Sequence, residues 1–145
     1  MQLSPTFTLE RLTFSYTAER RGIDNTPPED VIENLKITAG YLEQVQTALG
    51  VELHLNDVYR CSVLNLLLGG SATSDHPEGL AADFTAPAFG GPKQVIEAII
   101  AAGIPFDQLI YEGSWVHGGW GPRMRGQIET ATFTPRGVVY SAGLA

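Results

Sequence analysis

From Glu29 to Leu49 the apolar residues Val31, Ile32, Leu35, Ile37, Tyr41, Leu42, Val45 and Leu49 recur at steps of three and four, and Gly50 supplies a stop. This spacing predicts an amphipathic helix with Pro28 in its first turn, where a missing N–H costs nothing. The period then changes: Val51 to Asn56 alternates apolar and polar residues, as a half-buried strand does. Cys61 to Leu68 reads as a short helix closed by Gly69 and Gly70, Ala81 to Ala86 as a strand ending at Pro87, and Pro92 to Ala102 as a helix ending at Gly103. Phe106 to Tyr111 and Trp115 to Trp120 predict two further strands separated by Gly113, and the tail from Thr130 to Tyr140 predicts a hairpin broken at Pro135 to Gly137. Ahead of the long helix, residues 5 to 28 hold Pro5 and the turn-rich run Gly22 to Pro28, which fits a short helix followed by an irregular crossing.

Helices first and mixed strands afterwards predict an α+β domain: a small, mostly antiparallel sheet with helices packed on one side. The chain of 145 residues fits one domain, 1–145, and no internal repeat divides it. A hydrophobic share of 43% against 17% charged argues against disorder. No apolar run approaches the roughly 20 residues that a membrane span needs. A net charge of −7, from 9 Lys+Arg against 16 Asp+Glu, disfavours a nucleic-acid partner, which calls for a basic stripe. Cys61 is the only cysteine, so no internal disulfide and no Cys-rich zinc knuckle can form, and any metal must use His and carboxylate. Met1 to Glu10 lacks a basic leader followed by an apolar core, so the expectation is synthesis in the cytoplasm without a signal peptide.

Of the three histidines, His54 lies on an alternating strand and is expected to be half exposed there. His76 and Asp83 are too far apart for one helical face and are separated by Pro77 and Gly79. They converge only if His76 sits on a loop and Asp83 on the strand that follows. As a lone pair they read as a surface histidine and a turn-capping acid.

The whole string does more. Ser74-x-His76-x-x-Gly79-x-Ala81-x-Asp83 resembles the first zinc motif of the zinc D-alanyl-D-alanine carboxypeptidase family, which includes vancomycin-resistance dipeptidases and phage endolysins. Tyr59-Arg60, Leu64-Asn65 and Gly69-Gly70-Ser71 resemble the family's segment leading into that motif, and Phe106 to Glu112 followed by Trp115-Val116-His117 resembles the segment that brings the third ligand. Gly22 to Pro28 and Val139 to Leu144 are similar to short phage and prophage members, so the likeness covers most of the chain.

The resemblance implies a Zn²⁺ site in a cleft, with His76, Asp83 and His117 as metal ligands. Two neutral imidazoles and one carboxylate would leave the ion a net positive charge, enough to bring bound water towards a pKa of about 7. Arg60 is the implied substrate-orienting cation, since a guanidinium grips a carboxylate or a developing oxyanion through two donors. Ser74, Tyr59 and Asp57 are the expected substrate contacts.

The family's base is usually an acid three residues before the last His or a His two before it, and Ser114 and Trp115 stand there. Glu112, five residues before His117, takes the role if the Gly113-Ser114 turn returns its carboxylate despite the odd strand parity. Asp57-Val58 replaces the usual Ser-Gly, and Gly119 replaces a polar residue.

These observations lead to a zinc-dependent peptidase acting on a peptidoglycan stem peptide, as a D-Ala-D-Ala carboxypeptidase or an L-Ala-D-Glu endopeptidase. Its relatives imply phage or prophage lysis, or penetration of the host wall. Action is then expected on the cell wall after release, or from a virion in company with other phage proteins. The alternative is a virion structural module that keeps the fold and has lost or altered its catalysis.

Overall fold

The structure, a computed structural model, describes residues 1–71 and 73–145. Two short helices come first, α1 (Leu9–Thr13) and α2 (Tyr16–Arg21), where a single helix and a crossing were expected. The split has a local cause: Phe14 is extended, and Ser15 then caps a new helix by accepting from the Ala18 N–H at 3.2 Å.

The long helix α3 (Glu29–Leu49) follows, with Pro28 standing as its cap and Gly50 closing it at φ 68°. Glu29 and Asp30 in its first turn complement the helix dipole. Val31, Leu35, Ala39, Leu42, Val45 and Leu49 are buried on one stripe, the face its spacing predicted.

Next come β1 (His54–Asp57), α4 (Ser62–Leu67), a short 3-10 turn (His76–Glu78), β2 (Ala81–Thr85) and α5 (Pro92–Ala101). The chain finishes with β3 (Gln108–Tyr111), β4 (Val116–Gly119), β5 (Gln127–Thr134) and β6 (Gly137–Ala142). The six strands form one sheet in the order β1-β2-β4-β3-β5-β6. Every neighbouring pair is antiparallel except β3 and β5, which run parallel. The chain is therefore the α+β domain that the element order predicted.

Alternation divides the sheet's two faces. Ala82, Phe84, Leu109 and Val116 are fully buried and belong to the core against α3 and α5. Trp120 locks this side: its ring stacks on Tyr41 of α3 with centroids 5.6 Å apart, and its indole N–H donates to the Pro105 carbonyl at 3.1 Å. Gly118 is required beneath it, because a Cβ there would come within 2.8 Å of the indole. The other face carries Asp83, His117, Ile110 and Glu129 in one cross-strand row, and it is open over its middle.

Candidate active site

Helix α3 places the first histidine. The Thr38 hydroxyl donates to the Gly79 carbonyl at 2.6 Å, and the Asn34 amide donates to the Glu78 carbonyl at 2.9 Å. Both bonds tie the turn after His76 to the helix. Gly79 itself adopts φ 74°, and a Cβ at this position would meet Leu35 and Val31 at 3.0 Å. Only glycine satisfies both the left-handed backbone and the close approach. Upstream, the Ser74 hydroxyl accepts from the His76 N–H at 3.2 Å and shapes the entrance to the turn.

His76 is 1% exposed, and its Nδ1 lies 2.6 Å from the Val58 carbonyl oxygen. A carbonyl only accepts, so Nδ1 carries the proton and Nε2 presents a lone pair. Asp83, on β2, and His117, on β4, face each other across a register pair. His117 Nδ1 is 2.9 Å from Asp83 Oδ1, while His76 Nε2 is 3.4 Å from the same oxygen, an ion-pair distance without a directed hydrogen bond. The two imidazoles stand 5.1 Å apart, nearly perpendicular. Burial works to raise the Asp83 pKa, but the electrostatic pull of the two imidazoles and the hydrogen bond with His117 outweigh it and hold the carboxyl well below the usual carboxylate range.

These three residues bring one ligand atom each to within 4.8 Å of one another. The buried Nε2 of His76 has no hydrogen-bond partner among the described residues. An orphaned acceptor in the interior is costly, and a cation beside it removes the penalty. With two imidazoles and one carboxylate, the donor set suits a divalent metal that keeps a position open for substrate. The second nitrogen of His76, anchored on Val58, is the orienting contact that such ligands use.

The metal group opens into a cleft of 560 Å³. Arg60, Ser74 and Glu112 line it alongside His76, Asp83 and His117. Arg60 is held by Asp57, with Nη1 3.3 Å from Oδ2, and both side chains are mostly buried. Burial raises the Asp57 pKa against the pull of Arg60. Asp57 thus stands behind the guanidinium, outside the lining of the cleft. Tyr59 also sits away from it: the side chain is part of the core, and its carbonyl accepts from Asn25. Val58 and Tyr59 both pack into the core, and Arg60 is the first residue after β1 to reach the cleft.

Glu112 resolves a matter of parity. Ile110 pairs with His117 in the β3–β4 hairpin, and just beyond the strands the Glu112 N–H donates to the Trp115 carbonyl at 3.1 Å. Counting across a hairpin preserves the face, so Glu112 emerges on the side of His117 although an odd number of residues separates them. Its carboxylate makes no hydrogen bond among the described residues and is 9% exposed. Burial raises its pKa, opposed by the nearby His117. A carboxyl that is desolvated, unpartnered and open to a cleft is suited to accept and release protons.

A family model described as Peptidase M15 matches residues 5–118. The chain belongs to the Peptidase M15 family. This membership makes it a hydrolase of the metallopeptidase type, and the His76, Asp83 and His117 group is the place where a metal can be held. No curated protein matches the chain. His54, outside the family motif, is exposed on β1 opposite Thr85 and is not among the residues that converge. Among the described residues no helix is long and apolar enough to cross a membrane.

The match ends within β4, yet the cleft does not. Arg123, Arg125, Glu129, Phe133, Val138 and Tyr140 all line it. None stood out in the sequence. The available signal was the alternation of the terminal hairpin, which says that one face of β5 and β6 points one way. It does not say that β5 lies parallel to β3, and that pairing is what brings the hairpin to the site.

Proposed function

We propose that the chain is a zinc-dependent peptidase that hydrolyses a bond of the peptidoglycan stem peptide, either D-Ala-D-Ala or L-Ala-D-Glu. The observation carrying this reading is the unpartnered Glu112 carboxylate on the same sheet face as the His76, Asp83 and His117 group. When bound, zinc supplies Lewis acidity to a carbonyl and acidifies water near neutral pH.

The remaining work falls to the chain's own side chains. Glu112 Oε accepts the proton of the attacking water and returns it to the leaving nitrogen. Arg60, fixed by Asp57, grips a carboxylate of the stem peptide and so sets which bond lies over Glu112. Ser74 lines the same cleft and keeps the His76 turn in shape. Asp57 acts through Arg60, and Tyr59 through the packing that carries the Arg60 backbone.

The biological setting we propose is cell-wall cleavage in phage or prophage lysis, after release or from a virion. The alternative, a virion module that retains the fold without catalysis, gives a different outcome in the same assay. Incubating zinc-loaded protein with purified peptidoglycan is expected to release new free amines, with Glu112→Gln retaining the metal and losing release. Absence of release from pH 5 to 9, with zinc shown bound, would overturn the peptidase reading in favour of the module.

A further inference from the structure

The C-terminal hairpin puts a phenol beside the base. Continuing the register outward from His117 and Ile110, the next same-face positions are Trp115, Glu112, Ala131 and Tyr140. Ala131 pairs directly with Tyr140 and is buried, with a side chain too small to fill the space between strands. The Tyr140 ring can therefore lean across it towards Glu112, and Tyr140 lines the cleft with Glu112, Asp83 and His117. Its hydroxyl has no hydrogen-bond partner among the described residues.

The hairpin is held in place rather than free. The Thr130 hydroxyl donates to the Gly143 carbonyl at 2.8 Å, and the Ala145 N–H donates back to the same hydroxyl at 2.9 Å. At its far end Phe133 meets Trp115, ring centroids 6.1 Å apart.

We propose, resting on the peptidase reading above, that Tyr140 is a further catalytic residue whose hydroxyl donates a hydrogen bond to the scissile carbonyl oxygen as negative charge develops there. Each preorganised donor at the developing oxyanion lowers the barrier to amide hydrolysis further. The acidic side chains in the cleft, Asp83, Glu112 and Glu129, accept when ionised, and Arg60 is assigned above to a carboxylate of the stem peptide, so the phenol is the donor that β6 adds to the cleft. Desolvation raises the Tyr140 pKa, and the charges of Glu112, Glu129 and Asp83 raise it further, so the phenol stays protonated and able to donate at neutral pH. The donor comes from the part of the chain beyond the family match, so the hairpin completes the site.

The test is Tyr140→Phe, which keeps the ring and removes only the donor. Tyr140 is 52% exposed, so the fold and thermal midpoint are expected to be unchanged. On purified stem peptide, kcat is expected to fall by about 100-fold while KM stays within about twofold. Binding of a tetrahedral phosphinate analogue of the cleaved dipeptide unit, measured by calorimetry, is expected to weaken by a similar factor, with binding of the product peptide unaltered. An active wild type alongside a Tyr140→Phe variant with the same kcat and the same phosphinate affinity overturns the Tyr140 assignment alone. A zinc-loaded wild type that cleaves no peptidoglycan bond and binds no phosphinate overturns the peptidase reading, and the assignment with it.

Discussion

His76 Nδ1 and the Val58 carbonyl oxygen lie 2.6 Å apart in the interior, and this contact decides which imidazole nitrogen faces Asp83 and His117. One backbone acceptor thereby fixes the nitrogen that could meet a metal. Stoichiometric zinc is expected by elemental analysis for the wild type and not for His76→Ala. If the ion binds the folded chain alone, zinc at 1,000 times its Kd is expected to stabilise the wild type by about 4 kcal/mol, an increment that chelator removes. An equal thermal midpoint with zinc and with chelator would contradict the ligand assignment.

Gly79→Ala tests the link between helix α3 and the metal group. The new Cβ would press on Leu35 and Val31 in a left-handed backbone, so a loss of about 1–3 kcal/mol in urea unfolding is expected. Displacing the turn also displaces His76, and zinc affinity is expected to drop at the same time. A destabilised variant with unchanged zinc affinity would separate the two.

Glu112→Gln is expected to lower kcat by about 10²–10⁴-fold with zinc content preserved. Its stability effect has a defined sign. Since burial raises the folded pKa of Glu112, ionisation favours the unfolded chain as pH rises from the ordinary glutamate value through the raised one. In chelated protein, Glu112→Gln is therefore expected to melt no lower than wild type at pH 7, and any advantage is expected to vanish below about pH 4.

Asp107 has the opposite sign. Its carboxylate accepts from the Arg125 backbone N–H at 2.9 Å, from Nε at 2.9 Å and from Nη2 at 3.0 Å, and these bonds lower its pKa. The stabilisation is present above the ordinary aspartate pKa and is lost as pH falls through the lowered one. Asp107→Asn is expected to lower the melting temperature by several degrees at pH 7, with the gap to wild type closing below about pH 4. A gap independent of pH would show that the carboxylate charge contributes nothing.

Much of this was legible in the chain itself, for a physical reason. Helix α3 announces itself because one face is buried, and burial writes a period of 3.6 into its residues, whereas β2, buried from Ala81 to Phe84, and β6, exposed along its length, carry no such period. The proximity of His76, Asp83 and His117 was implied by the family resemblance of the Ser74 to Asp83 string and the Trp115 to His117 segment, not by spacing alone. What the chain does not state is how distant strands pair. The parallel β3–β5 contact brings Glu129 and Tyr140 to the cleft, and nothing local to Gln127 or Tyr140 encodes it. Tyr59 stands beside Arg60 in the family segment, but it packs into the core with Val58 while Arg60 reaches the cleft.

The most direct measurement of the central claim is mass spectrometry of purified peptidoglycan digested with zinc-loaded protein, beside a His76→Ala control. The expected result is stem peptides cut at a single bond, D-Ala-D-Ala or L-Ala-D-Glu, absent from the control. Muropeptides identical in both digests, with zinc bound to the wild type, would contradict it.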